Sequence, residues 1–448
     1  MPYNSSPETL LTVLACAVMT GHAAAQSPAS WRLRSIDLRV TLLPQTHAVA
    51  GEVRLGVTRA GGAAVDATFD LSDSLTVDSV HVRTGNFVRT VTAAREARVI
   101  RVPSAALSST GSIVTIWYHG SPPDRSLAFT EHDGTVRVAS YGLPRSASGW
   151  WPTIDDPAQK ADSADIRVTA PAMLTVASNG RFVDRTSHDD GTATTHWTVR
   201  YPIYSDVVSL AAADYVERRG SFHSRAGRDV PLTFFVFPED TAKADRDFTV
   251  VPRALAFEES LLGPYPFVNE KYGIAEFARR SFREHQTLPS LGATFITGTH
   301  QFDQIIAHEI AHQWFGNSVT VSTWRDIWLN EGFAEYVAWR WIRADRGQAA
   351  YDSLVRDAES KHYVGTLAHA DSGGFATMFG DLTFEKGPLT LATLEALIGT
   401  RAIDAALAEY VRGHAYGLAS LADFQAACER QYGKPLGPFF DQWVRGAS

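Results

Sequence analysis

From Trp31 to about Val216 the chain alternates apolar and polar residues in short runs such as 36-IDLRVTLL-43, 53-VRLGVT-58, 75-LTVDSVHVR-83 and 113-IVTIWY-118. Gly, Pro, Asp and Ser clusters separate them. A period of two puts alternate side chains on one face, so the pattern predicts an antiparallel β-sandwich. The stretch 219-RGSFHSRAGRD-229 has no such period and precedes a different regime, which places a domain boundary near residue 216. Beyond it, strands are predicted at 231-PLTFFVF-237, 272-YGIAEF-277 and 292-GATFIT-297. Helical spacing covers 241–263, with Pro252 as an interruption. It returns from Phe302 to Trp314, stopped by Gly316, and from Asp326 to Arg346, stopped by Gly347. Segments 389–399, 402–413 and 421–433 are helical as well. The expected fold is multidomain: a β-sandwich over 26–216, then an α+β domain over 217–448 that ends in helices.

The first residues follow another rule. The run 9-TLLTVLACAVMTGHAAAQ-26 is an apolar stretch closed by Ala23 and Ala25, the small-residue pattern of a secretory cleavage site, though it lacks a positive leader. Residues 1–25 are therefore expected to be a signal peptide, and the protein to be exported, periplasmic or secreted. A lipid anchor through Cys16 in 13-VLAC-16 is the alternative. Cleavage would leave Cys428 as the one cysteine and exclude an intrachain disulfide. No later apolar run approaches the ~18 residues that span a bilayer. A net charge of −8 with interspersed acids and bases argues against nucleic acid as a partner.

Candidate chemistry begins at 308-HEIAH-312. Residues four apart on a helix share a face, so His308 and His312 can aim imidazoles at one ion, with Glu309 turned by about 100° beside them. A catalytic zinc takes three protein ligands and keeps one position open. Glu331, in 328-WLNEGFAEY-336, lies early in the next helix and supplies the third. One Zn2+ per chain is expected, with Glu309 as general base for hydrolysis of a peptide bond. Glu335, one turn beyond Glu331, either orients a histidine N–H or is a solvated carboxylate. The five tryptophans between Trp314 and Trp341 read as packing between the two zinc helices, and Asp155 and Asp156 as turn residues.

The stretch 308-HEIAHQWFGNSVTVSTWRDIWLNEGFAEY-336 closely resembles the zinc signature of the membrane alanyl aminopeptidase family, aminopeptidase N-like gluzincins. Segments 150-WWPTIDDPAQKADSADIRVTAPAMLTVASNG-180, 262-LGPYPF-267 and 434-KPLGPFFDQW-443 match it too. The resemblance covers residues 31–448 and implies a thermolysin-like catalytic domain behind the sandwich, in the short bacterial form. It implies peptide substrates and an aminopeptidase that removes N-terminal residues.

Three departures stand out. The family's Gly-x-Met-Glu motif, whose glutamate binds the substrate α-amine, reads 281-SFRE-284, so Glu284 is kept while Ser281, Phe282 and Arg283 replace its neighbours. A second amine-binding residue in the sandwich reads Leu143. The tyrosine of the family's Tyr-x-Lys-Gly motif, which stabilises the oxyanion, reads Phe384, with Tyr363 or His369 as possible substitutes. A zinc-bearing peptide-binding protein with weak or no catalysis is therefore the alternative function.

Overall fold

A computed structural model describes residues 31–61, 65–142, 144–368 and 378–446. The expected signal peptide with Cys16, and the candidates Leu143 and His369, lie outside the described residues. Among the described residues no helix is long and apolar enough to cross a membrane.

The first half is a sandwich, as its alternation predicts. An eight-stranded sheet runs in the order Arg181–Ser187, Thr192–Val199, Ser163–Pro171, Trp31–Leu43, Ala48–Arg59, Ser112–Gly120, Leu75–Thr84, Phe87–Thr90. It shares one apolar core with a four-stranded sheet of Thr175–Ser178, Leu210–Ala213, Thr135–Ser140 and Leu127–His132. Along Trp31–Leu43, Ile36, Leu38, Val40 and Leu42 are buried, and Leu38 lies opposite both Val53 and Ile166 in register. Asp37 and Arg39 face outward and pair with Glu52, Arg54 and Arg167, contacts worth little each at such exposure. One pair departs from the antiparallel expectation: Trp31–Leu43 and Ser163–Pro171 run parallel, joined by a long crossover.

The second half opens with a five-stranded sheet ordered Val216–Ser224, Arg228–Val236, Tyr272–Phe277, Ser290–Gly292, Phe282–Arg283. The aperiodic stretch 219–229 is thus a hairpin. Its first strand is an outer edge that buries little beyond Phe222 and Ser224, so hydrophobic alternation is missing. The strand expected over 292–297 is a correction: pairing ends at Gly292, and Ala293–Phe295 turn as a 3-10 helix. A side chain at 292 would collide with the Arg279 carbonyl, so glycine is required where the sheet's last two strands close.

Helices α1 (Thr241–Asp247) and α2 (Val251–Leu262) follow, with Pro252 starting α2, where its missing N–H costs nothing. Helices α3 (Asp303–Ala311) and α4 (Trp328–Arg346) pack as a pair, and α5 (Gln348–Glu359) succeeds them. Gly347, at φ 91°, ends α4. All five tryptophans from Trp314 to Trp341 are buried. Further helices span Gly387–Ile398, Thr400–His414 and Leu421–Tyr432, as the apolar spacing predicts. Gly332 of α4 meets Gly387 face to face: a Cβ at 332 would stand 3.1 Å from the Gly387 Cα. That close approach brings the turn carrying Phe384 against the α3–α4 pair.

Candidate metal centre

The Nε2 atoms of His308 and His312 lie 2.9 Å apart, and Glu331 Oε2 stands 3.5 and 3.2 Å from them. All three side chains are buried. His308 Nδ1 is 2.8 Å from Glu335 Oε2, and His312 Nδ1 is 3.0 Å from the Phe315 carbonyl oxygen. Both acceptors demand a proton on Nδ1, which leaves two Nε2 lone pairs and a carboxylate oxygen converging on one point. Such a cluster repels itself unless a cation enters. Donors held at ~2.0–2.1 Å around a tetrahedral ion lie roughly 3.3 Å apart, close to the spacing here. The donor set of two imidazoles and one carboxylate suits zinc with an open fourth position.

Electrostatics support the same view. Burial opposes charge on His308 and His312, yet hydrogen bonds and charges from Glu331 raise both, with Glu335 adding to His308. Glu331 is desolvated too, but the two histidines hold it well below the carboxylate range. A bound cation would take the place of the protons these groups now compete for.

Glu335 resolves the alternative left open by its spacing. Its Oε2 takes the His308 Nδ1–H, and its Oε1 accepts from Gln304 Nε2 at 2.6 Å and Trp339 Nε1 at 2.8 Å. It is a fixed acceptor that sets a ring's tautomer, not a solvated acid.

Glu309 is buried, and its Oε2 has no hydrogen-bond partner. Burial pushes its pKa up to about 7, where a carboxylate can accept and return a proton near neutral pH. Glu284 follows the edge strand Phe282–Arg283 and is also buried, with Oε1 unpartnered. Burial and then the Glu331 charge raise it to about 8. An ammonium group arriving there would restore its charge. Asn317 Nδ2 donates to the Glu284 carbonyl at 2.8 Å and so ties this segment to the loop after α3.

Two phenylalanines cover His308: the Phe282 ring is 5.9 Å away at 70°, and the Phe384 ring 6.2 Å away at 40°. Phe384 therefore stands at the metal centre without a hydroxyl. Tyr363 does not supply one there, since its hydroxyl donates to the Ala358 carbonyl.

The sandwich contributes residues that no local motif revealed. Lys160 is buried and donates to the carbonyls of Asn317 and Ser318, just past the zinc helix, and burial lowers its pKa to about 7. Asp206 accepts from the backbone of Arg145, Ser146 and Ala147 and fixes the loop that borders the site. Tyr204 is buried with an unpartnered hydroxyl; burial and then the charges of Glu284, Asp206 and Glu331 raise its pKa. Asp155 is buried and accepts from Ser148 N, while Asp156 caps its own turn at Ala158.

The Peptidase family M1 domain model matches residues 281–443. Among curated proteins, glutamyl aminopeptidase of Bos taurus is 27% identical over 342 residues, 71% of this chain and 34% of its own length. Aminopeptidase M1 of Arabidopsis thaliana is 25% identical over 343 residues, 70% of this chain and 38% of its own. The chain thus spans about a third of the curated relatives it matches. Among solved structures, the M1 zinc metallopeptidase of Deinococcus radiodurans superposes with a TM-score of 0.79 at 21% identity, covering 94% of both chains. Yeast LTA4 hydrolase gives 0.81 at 19% identity, over 94% of this chain and 68% of its own. Similarity at that level concerns the fold.

Proposed function

Because residues 281–443 match the Peptidase family M1 domain, we propose that the chain is an M1-type, exported, zinc-dependent aminopeptidase that removes N-terminal residues from peptides, with one zinc per chain. The reading divides the chain near residue 216 into a substrate-bordering sandwich and a catalytic half. One observation carries it: two imidazole lone pairs and a carboxylate converge beside a buried, unpartnered Glu309.

His308, His312 and Glu331 would hold the metal. When bound, zinc would polarise the scissile carbonyl and acidify the attacking water. Glu309 takes the proton from that water and delivers it to the departing amine. Glu284 accepts the substrate α-ammonium and sets the length of what is cleaved. Glu335 and the Phe315 carbonyl hold the imidazoles in the ligating tautomer. Phe282 and Phe384 keep bulk water from the His308 ring.

The test is zinc content together with chelator-sensitive hydrolysis of aminoacyl amides and their N-acetylated counterparts. Free-amine substrates alone should turn over, and Glu309→Gln should keep its zinc while losing activity. Hydrolysis that survives Glu309→Gln would sink the reading.

Phe384 favours a second reading, in which the protein binds peptides through the same site with little catalysis. A missing oxyanion donor costs ~10²–10³ in turnover, roughly 3 kcal/mol. On this reading the wild type is nearly silent, and Phe384→Tyr gains activity.

A further inference from the structure

Arg283 is half-buried, and no ion pair joins it to a carboxylate among the described residues. Its neighbour Arg279, by contrast, pairs with Asp124 at 3.1 Å. The Arg283 guanidinium lies over the Tyr141 ring at 5.0 Å; Nη1 donates to the Phe282 carbonyl, and Nε is buried with no partner. Burying an unpaired cation costs free energy, and proteins normally offset the cost with an acid. Here the flat fork is stacked on an aromatic face and held with donors to spare, a geometry that suits bidentate recognition of a carboxylate.

Position specifies which carboxylate. Arg283 is adjacent in the chain to Glu284, the acceptor proposed for the substrate α-amine, and its charge reaches Glu309. Consecutive residues place their Cα atoms about 3.8 Å apart. A substrate residue whose amine meets Glu284 thus brings its own side chain within reach of the long Arg283 side chain. Along the edge strand, Phe282 faces His308, while Arg283 turns to the sandwich loop at Tyr141.

We propose that Arg283 receives the side-chain carboxylate of an acidic N-terminal residue, so that the site selects peptides beginning with Asp or Glu. The inference rests on the aminopeptidase reading. The other source of the same chemistry is the C-terminal carboxylate of a short peptide.

The test compares the specificity ratio kcat/KM for glutamyl over glutaminyl amide in the zinc-loaded wild type and in Arg283→Met. The ratio should favour glutamyl in the wild type and fall at least about tenfold in the variant, mainly through KM. A ratio that does not move overturns the proposal and leaves the aminopeptidase reading standing. Leucyl-alanine and leucyl-alanine amide form the second arm. If Arg283→Met weakens only the peptide with a free C-terminus, the assignment to the N-terminal residue is wrong. Calorimetry of glutamate and glutamine on the same proteins needs no turnover. Tighter glutamate binding that Arg283→Met abolishes supports the proposal even in a silent enzyme, and equal affinities overturn it.

Discussion

Replacing Glu335 with alanine removes the acceptor at 2.8 Å from His308 Nδ1 without touching a metal ligand. The imidazole then loses the bond that fixes its proton on Nδ1, and Gln304 Nε2 and Trp339 Nε1 lose their acceptor as well. A hydrogen bond to a charged group is worth about 1.5–3 kcal/mol, and loss of such an outer partner typically lowers metal affinity ~10- to 100-fold, or about 1.4–2.7 kcal/mol. The Glu335 side chain is 16% exposed, so water softens the loss, and the lower half of that range is expected. Glu335→Gln keeps a carbonyl acceptor but not the charge and should lose less. Competition between the apoprotein and a fluorescent zinc indicator measures both variants, with a thermal melt confirming that they fold. Zinc affinity in Glu335→Ala equal to that of the wild type would refute the claim that this carboxylate poises the ligand.

Glu276 is fully buried, and burial, then Asp240 and Glu239, push its pKa up to about 9. The folded chain keeps a proton there that the unfolded chain releases near 4.5, so the stability this group contributes is present below 4.5 and lost as pH climbs towards 9. Glu276→Gln, which retains an acceptor for Phe237 N, should match the wild-type Tm at pH 5 and exceed it at pH 9; a difference that does not grow with pH contradicts the assignment. Lys160→Met should destabilise by about 2–5 kcal/mol in urea unfolding, since the carbonyls of Asn317 and Ser318 are then buried without a donor. A change below about 0.5 kcal/mol would show that water replaces the ammonium.

What was legible in the sequence follows from the range of the physics involved. His308 and His312 are one helical turn apart, and Glu331 lies on the next helix, so short-range geometry was enough to assemble the triad. Glu335 shares that helix, but whether it meets an imidazole depends on how α3 and α4 pack, which spacing leaves open. Tyr204, Asp206 and Lys160 come from the sandwich half, far along the chain from the α3–α4 pair, and no local pattern marks them. The hairpin at 216–236 was missed because its edge strand buries almost nothing on either face. Segment 292–297 was misread because its β-branched and aromatic content suits a strand, while Gly292 ends the pairing for a backbone reason. The parallel pair of strands is a long-range choice that alternation cannot encode.

The seam between the two halves has a further consequence. Asn179 donates to both Val207 O and Gln286 O, Gly180 N donates to Thr287 Oγ1, and Lys271 returns hydrogen bonds to Ser178 O and Gly180 O. These bonds are buried, and those to Gln286 O and Thr287 Oγ1 grip the chain within three residues of Glu284. At this seam each half supplies polar groups that help to satisfy the other. A chimera that swapped either half for a distant counterpart would therefore have to carry Asn179, Lys271 and Thr287 together.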